Sequence, residues 1–266
     1  MRASPSMRGL GELSGALLGE AAGWWRTLRF GAVALVIALS PSAYDRETRA
    51  VAARQIYFSA WQVLAGFMAV AVLLSWVLIG IVVETSRAYG VAQYALELVL
   101  RALPLELLPL GAALFVALRS GAAINTEVAL FHIRGELEAL ERAGIDPLRR
   151  ELAPRVAGSV VAVALLTAAS GAAALALAYV QLYGLLPWGL AEFTRLAGRV
   201  FGPVELVGLA LKTFLFGAAV AVIPIGAALA TPRDLRLAPV AVLRGMVRLV
   251  LALALIEGAF LAVTYA

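Results

Sequence analysis

The chain has no cysteine, one histidine and one lysine, and only 15% of its 266 residues are charged. Without cysteine there is no disulfide framework, no thiol nucleophile and no cysteine-ligated metal. His132 is the sole histidine and lies beside a charged segment. The apolar runs therefore contain no histidine that could bind a metal or form a serine–histidine relay in the membrane. Asp45, Asp146 and Asp234 all lie outside the apolar runs, which leaves no aspartate pair in lipid. We therefore predict no catalytic residue and no metal site.

Apolar side chains are what the sequence has in abundance: 62% of the residues are hydrophobic, and the mean hydropathy is +0.91. A soluble domain is nearer one quarter charged and could not hide this much apolar surface from water. A multi-pass membrane protein has lipid as its solvent. A span takes about 20 apolar residues, and the runs that meet this length are 61–84, 97–120, 156–181, 203–230 and 239–265. The predicted fold class is an all-α integral membrane protein with five transmembrane helices.

The basic residues predict the orientation, because cytoplasmic loops carry an excess of arginine and lysine. If the N-terminus is cytoplasmic, most of the 22 basic residues fall on that side. The opposite side keeps only Arg87, Arg195 and Arg199, while Arg101 and Lys212 lie within spans. We predict a cytoplasmic N-terminus and an extracytoplasmic C-terminus. Basic residues at the ends of apolar runs do not form a groove that tracks phosphates, so we expect no nucleic-acid partner.

The N-terminal part, residues 1–55, is predicted to be a cytoplasmic or interfacial amphipathic segment that precedes the transmembrane domain, residues 56–266. Within it, residues 10–40 suit one or two helices lying along the inner membrane surface. Trp24 and Trp25 supply interfacial anchors, and neighbouring arginines face the lipid head groups. The alternative is a cytoplasmic tail with incidental aromatic residues.

Ten charged side chains lie between Arg134 and Arg155, and none follows over residues 156–181. An apolar stripe with steps of three and four residues passes through this charged segment and predicts a helix at about 128–146. The stripe contains Leu130, Ile133, Leu137, Leu140 and Gly144. Opposite charges four residues apart should support the helix by a few tenths of a kcal/mol each. The expected pairs are Arg134–Glu138 and Glu138–Arg142.

A corner is predicted after this helix. Gly144 is a natural C-terminal stop. Asp146 followed by Pro147 is typical of an N-cap with proline at the first helical position, and Pro154 marks the start of the third span. Two interpretations stay open from the residues alone: a solvated amphipathic loop without a partner, and a short helix that docks into a partner's groove.

Glu106, Lys212 and Glu257 fall inside apolar spans, where a lone charge costs at least about 2.5–3.5 kcal/mol at the bilayer centre. We expect Lys212 to pair with Glu257 or Glu106 beside a lipid cavity, which would place polar groups near a lipid head group. The alternative is structural pairing between helices. Arg119 and Glu127 flank a small-residue stretch that permits close helix approach, and we expect them to pair and to have a structural role.

Several segments resemble the MlaE/YrbE family, the permease subunits of MCE-type ABC lipid transporters. The matching segments are RSGAAINTE (119–127), AGIDPLRRELAPR (143–155) and LLT (165–167), with RQIY (54–57) and ELLP (106–109) upstream in the same order and spacing. The resemblance implies five membrane helices plus an interfacial N-terminal helix, in the inner (cytoplasmic) membrane. It also implies a homodimer, or a heterodimer with a paralogous permease, together with a cytoplasmic ABC ATPase and an extracytoplasmic MCE-domain protein. The implied cargo is phospholipid or another hydrophobic molecule.

In this family the segment at 128–146 corresponds to a coupling helix that sits in a groove of the ATPase. The residues that the resemblance assigns to ATPase coupling are Leu130, Ile133, Arg134, Leu137, Glu138, Leu140, Glu141 and Asp146. The residues that it assigns to the structural motif are Arg119, Glu127, Pro147, Pro154 and Arg155. Because the sequence contains no G-x-x-x-x-G-K-[ST] motif, we expect no cofactor on this chain and ATP use by the partner subunit.

Two other functions remain as alternatives. An intramembrane lipid-modifying enzyme would have to use Glu106 or Glu257 as its acid or base. A membrane scaffold without a transport cycle would need neither residue. A neighbouring gene for an ATPase and one for an MCE-domain protein would favour the transporter over both.

Overall fold

A computed structural model of the chain describes residues 23–40, 45–90, 92–234, 236 and 238–265. The described residues fold into helices joined by short turns. In chain order these helices are α1 (residues 23–39), α2 (Arg46–Ile56, Tyr57–Trp61 and Gln62–Tyr89), α3 (Ala92–Arg101, Ala102–Leu107, Leu108–Val116, Ala117–Gly121 and Ala122–Arg134), α4 (Glu136–Arg142), α5 (Leu148–Leu152 and Ala153–Tyr183), α6 (Leu190–Val200), α7 (Pro203–Leu229) and α8 (Ala238–Tyr265). Four of these segments are π-helical turns: Tyr57–Trp61 in α2, Ala102–Leu107 and Ala117–Gly121 in α3, and Leu148–Leu152 in α5.

Five of these helices are long and apolar enough to cross a membrane. The candidate spans are Thr48–Tyr89, Glu97–Arg134, Leu148–Tyr183, Pro203–Leu229 and Ala238–Thr264. The predicted number and order of spans are confirmed. The first three spanning helices, α2, α3 and α5, are longer than their apolar runs because polar turns continue them at their ends. At the start of α2, for example, the Asp45 side chain accepts a hydrogen bond from the Thr48 amide at 2.8 Å. The predicted segment boundary after residue 55 falls inside α2.

Proline does not interrupt the second span. Pro104 has no amide hydrogen to donate, and it lies in the π-helical turn Ala102–Leu107, where the backbone hydrogen-bond pattern shifts by one residue. Pro109 lies in the first turn of the next α-helical segment, where a missing donor is harmless. The helix therefore continues through both residues from Glu97 to Arg134.

Helix α7 occupies the centre of the bundle. It packs against α5, α8 and α3, and α5 in turn packs against α2. Nearly every residue from Phe216 to Ala228 is buried, as expected for a helix that is apolar all round. Helices α7 and α5 approach each other closely: a Cβ atom on Gly217 would lie 2.5 Å from the Val160 Cα atom. Glycine at this position lets the two backbones touch.

Helix α1 packs onto the same bundle. Phe30 and Leu35 contact the core cluster that contains Val222 of α7. The guanidinium of Arg248 lies 5.9 Å from the centroid of a Trp24 ring, while Trp25 is exposed. The part of the predicted interfacial segment before residue 23 lies outside the described residues. The location of α1 at a membrane surface stays a prediction.

Candidate functional site

Lys212, Glu106 and Glu257 form one buried ion cluster that joins α7, α3 and α8. The Lys212 Nζ contacts a carboxylate oxygen of Glu106 and lies 3.0 Å from Glu257 Oε2. It also donates to the Leu105 carbonyl oxygen at 3.1 Å and lies 5.8 Å from the centroid of the Phe260 ring. The Lys212 side chain is only 2% exposed. The predicted pairing is confirmed, and with both carboxylates.

The register of the helices brings the three charges to one depth. Glu106 and Lys212 each lie nine residues after the start of their candidate spans, and Glu257 lies seven residues before the end of its span. At 1.5 Å per residue, each charge is on the order of 10–14 Å from the same end of the bundle. Sequence reasoning found the charges but not the Leu105 carbonyl or the Phe260 ring, because neither has a signal in an apolar run. The cluster therefore links three helices internally.

The charged segment between the second and third spans is not one helix, and the prediction of a single helix at about 128–146 is wrong. Gly135 ends α3 with a φ of +72°, and its amide donates to the His132 carbonyl oxygen at 3.2 Å. The glycine takes up the left-handed conformation that closes a helix, and α4 starts at the next residue. Leu130 and Ile133 consequently belong to α3, whereas Leu137 and Leu140 belong to α4.

The face that α4 shows to its surroundings differs from the predicted apolar stripe. Leu137 is buried within the chain, and Leu140 is half-buried. The exposed positions are Glu136, Ala139, Glu141 and Arg142. The outward surface of this seven-residue helix is therefore small and mixed in charge, and Leu137 packs into its own protein.

The two predicted ion pairs on this segment are also wrong. Arg134 lies 3.7 Å from Glu136 instead, and the Arg142 Nε atom donates to the backbone carbonyl oxygen of Glu138 at 3.3 Å. The carboxylate of Glu138 contacts Arg233, in the turn between α7 and α8. The break between α3 and α4 separates Arg134 from Glu138. The Glu138 carboxylate pairs with Arg233 and not with Arg142. This contact ties α4 to the α7–α8 turn.

The predicted corner is confirmed. Gly144 has a φ of +75°, and the amide of Ile145 donates to the Leu140 carbonyl oxygen at 3.0 Å, which is the hydrogen bond of a Schellman motif. Asp146 then accepts a hydrogen bond from the Leu148 amide at 2.9 Å and caps the next helix. The chain therefore leaves α4 and enters α5 through two defined caps.

Proline marks both stages of the start of α5. Pro147 immediately precedes the π-helical turn Leu148–Leu152. Pro154 lies in the first turn of the α-helical part, Ala153–Tyr183. The predicted position of Pro154 at the start of the third span is confirmed, although the helix already begins before it.

Arg155 is the buried charge at this end of the bundle, and it joins α5 to α3. Its Nη2 atom lies 3.1 Å from Glu127 Oε1 and 3.3 Å from Glu151 Oε2. Its guanidinium lies 5.4 Å from the centroid of the Phe131 ring. Arginine suits this position because its planar group can bind two carboxylates and stack on a ring.

The predicted pair between Arg119 and Glu127 is wrong. Eight residues separate them along α3, which is about 12 Å of helix rise. Arg119 instead donates to the Gln62 side-chain oxygen on α2 at 3.3 Å, and Glu127 pairs with Arg155. Each of the two residues instead connects α3 to a different helix, and their structural role stays a prediction.

Asn125 was missed by sequence reasoning although it lies inside the RSGAAINTE segment. Its side chain is fully buried, and its Nδ2 atom donates to the Val242 carbonyl oxygen of α8 at 3.4 Å. A Cβ atom on Gly245 would lie 2.4 Å from the same Nδ2 atom. A lone amide in an apolar stretch is the signal that could have identified this contact between α3 and α8.

Five helices of spanning length, with buried charges that pair between helices, characterise a multi-pass α-helical membrane protein. The family model described as "Permease MlaE" matches residues 52–263. The chain belongs to the MlaE permease family, and the resemblance found in the sequence is confirmed.

One curated relative is the "Intermembrane phospholipid transport system permease protein MlaE" of Haemophilus influenzae. It is 34% identical to this chain over 101 residues. The alignment covers 36% of this chain and 39% of the relative.

Proposed function

We propose that the chain is the permease subunit of an ABC transporter that moves phospholipid or another hydrophobic molecule between membranes. The observation that carries the proposal is the family match over residues 52–263, on a chain with five helices of spanning length. The relative in Haemophilus influenzae is named as an intermembrane phospholipid transport permease. The proposed location is the inner membrane, with the N-terminus cytoplasmic and the C-terminus extracytoplasmic.

The proposed ATPase contact is the corner formed by α4. An exposed face on Ala139, Glu141 and Arg142 leaves the helix accessible, and the glycine caps at both of its ends make it a compact unit. The ion pair between Glu138 and Arg233 connects α4 to the α7–α8 turn. A displacement of α4 by a partner would therefore reach two spans through a short chain of contacts.

The partners come from the resemblance: a second permease copy or a paralogous permease, a cytoplasmic ABC ATPase, and an extracytoplasmic MCE-domain protein. ATP is used by the ATPase and not by this chain. The membrane lipid is both solvent and cargo.

The intramembrane ion cluster has a structural role in this proposal. Lys212 is nearly inaccessible, and it contacts both carboxylates and a backbone carbonyl. This burial favours a link between helices over binding of a lipid head group. It also weighs against a lipid-modifying enzyme, because neither Glu106 nor Glu257 is available as an acid or base while it holds the lysine.

The test is recovery of the ATPase with the permease. The full chain is purified from its native membrane through an affinity tag, and the co-purified nucleotide-binding subunit is identified by mass spectrometry and assayed for ATP hydrolysis. The charge swap Glu141→Arg with Arg142→Glu, on the exposed face of α4, should reduce the recovered ATPase at least tenfold. The matched control is Glu84→Arg with Arg87→Glu, which inverts an exposed ion pair at the far end of α2.

The control swap should leave ATPase recovery unchanged, and both variants should give the same yield of monodisperse permease. Absence of any nucleotide-binding subunit from the wild-type preparation would refute the transporter. Full recovery with the α4 swap would refute α4 as the contact.

A further inference from the structure

An open cleft lies between α5, α6 and α7, outside the ion cluster and outside the α4 corner. Its volume is about 810 Å³, which is within the roughly 300–1,000 Å³ typical of small-molecule sites. The two long helices touch at Val160 and Gly217. They diverge from that contact towards α6, which contributes Ala197 and Gly198 to the lining.

The dimensions of the cleft match one hydrocarbon chain. Its lining on α5 extends from Val160 to Leu175, a helix rise of about 22 Å. One leaflet of a bilayer is about 15 Å deep, half of the hydrocarbon core. Small residues on α5, among them Ala168 and Ala172, leave the space open. At Gly198 an added Cβ atom would find no other atom within 4 Å.

The chemistry of the lining favours a hydrocarbon chain over a lipid head group as the ligand. Among the residues that the structure describes, no charged side chain lines the cleft, and the polar side chains that do are Thr167 and Thr213. The two threonines are only 5% and 6% exposed, and neither hydroxyl has a hydrogen-bond partner among the residues that the structure describes. The chain's own side chains leave this volume unfilled, and the lining is apolar apart from the two buried hydroxyls. Such a lining suits a hydrocarbon chain better than a polar head group.

Positive charge lies next to the α6 end of the cleft. Arg195 and Arg199 are exposed on α6, and Arg195 is one helical turn from Gly198. Neither arginine forms an ion pair within the described part of the chain. An amphiphile with an anionic phosphate at these arginines could extend its chain between α5 and α7.

We propose that the α5–α6–α7 cleft is a binding site for one acyl chain of an anionic phospholipid from the leaflet on the α6 side. The phosphate lies at Arg195 and Arg199, and the chain extends past Ala172 towards the contact of α5 with α7. The site lies within a single protomer. It rests on the chain spanning a membrane, as proposed above, but not on the coupling to an ATPase.

The experiment uses the full chain in vesicles of phosphatidylethanolamine and phosphatidylglycerol. A small fraction of the phosphatidylglycerol carries a photoactivatable diazirine on one acyl chain, and the labelled peptides are mapped by mass spectrometry. Labelling should concentrate on the cleft segments of α5 and α6, saturate, and fall with excess unlabelled phosphatidylglycerol. The cleft-filling variant Gly198→Leu with Ala172→Phe should reduce this labelling at least tenfold.

The matched control is Gly208→Leu with Ala176→Phe. Gly208 also has no atom within 4 Å of an added Cβ, and neither control position lines the cleft. This variant should label as the wild type does. A separate charge variant, Arg195→Gln with Arg199→Gln, alters only exposed side chains and should weaken labelling by phosphatidylglycerol several-fold. The charge variant keeps the test informative if the filled variant does not fold.

Two outcomes overturn the proposal. Labelling spread evenly over the exposed faces of α2 and α8, and insensitive to filling of the cleft, would show ordinary boundary lipid. Loss of labelling in Thr213→Val would show that a polar group of the ligand, and not a hydrocarbon chain, lies at this depth. Either result leaves ATPase recovery untouched, so failure of this site and failure of the transporter are distinguishable.

Discussion

Replacement of Lys212 by methionine should strongly destabilise the bundle. Methionine is unbranched like lysine and only one atom shorter, so the variant changes the packing little but removes the charge. It leaves two carboxylates, on Glu106 and Glu257, whose side chains are only 14% and 11% exposed. It also removes the donor to the Leu105 carbonyl oxygen. Removing one partner of a buried ion pair costs about 3–5 kcal/mol, because the other charge stays buried without compensation.

The rescue experiment separates the charge from the packing. A triple variant, Lys212→Met with Glu106→Gln and Glu257→Gln, contains no buried charge at this site. Neutral replacement of a buried ion cluster is often close to neutral in stability, so most of the loss should be regained. The measurement is the free energy of unfolding of the purified protein in mixed micelles, with a thermal melt in detergent as a second readout. An unchanged unfolding free energy for Lys212→Met, or a triple variant less stable than the single one, would refute this reasoning.

Three further predictions test local geometry and orientation. Gly217→Ala should lower the free energy of unfolding by about 1–3 kcal/mol, because its Cβ atom would overlap the α5 backbone. Gly208→Ala should leave it unchanged or raise it by up to about 1 kcal/mol, because the position is open and alanine favours a helix. Unfolding in micelles compares the two variants, and equal effects would contradict the close contact of α7 with α5. Gly135→Ala should cost about 1–2 kcal/mol, because the residue has a φ of +72°, and an unchanged unfolding free energy would argue against the break between α3 and α4. Since the chain has no cysteine, single cysteines report topology directly: in sealed right-side-out vesicles an impermeant maleimide should label Leu185→Cys but not Ala139→Cys, and the reverse pattern would invert the proposed orientation.

The apolar runs determined the number of spans, because a bilayer demands a minimum length of hydrocarbon-compatible helix wherever the chain crosses it. The five runs and the five helices agree in number and order. The caps were also readable, since each is a local event: Gly144 and Asp146 need only their immediate neighbours to close one helix and open the next. The same local signal was overlooked at Gly135, where an apolar stripe suggested that the helix continued.

Pairing between distant residues could be anticipated only where the sequence offered few choices. The one lysine and two glutamates within the apolar spans have few possible partners other than each other. Pairing is expected because a lone charge in lipid costs free energy. At the charged corner many partners of both signs compete. There Arg233 forms an ion pair with Glu138, and Arg155 forms one with Glu127. No spacing rule could select these pairs, because they depend on how α7 and α5 are placed beside α3 and α4.

By itself the sequence determined a five-span membrane protein, the capped corner and the existence of an intramembrane charge cluster, because each follows from hydropathy, local backbone preference or the cost of charge in lipid. The family was indicated by the resemblance of its short motifs. Only the tertiary structure decided which surface of α4 is exposed, which helices each arginine joins, and that α5 and α7 diverge to leave a cleft beside α6. Those features come from the crossing of helices far apart in the chain. The crossing is set where small residues such as Gly217 let two backbones touch, and such contacts have no periodicity in the sequence.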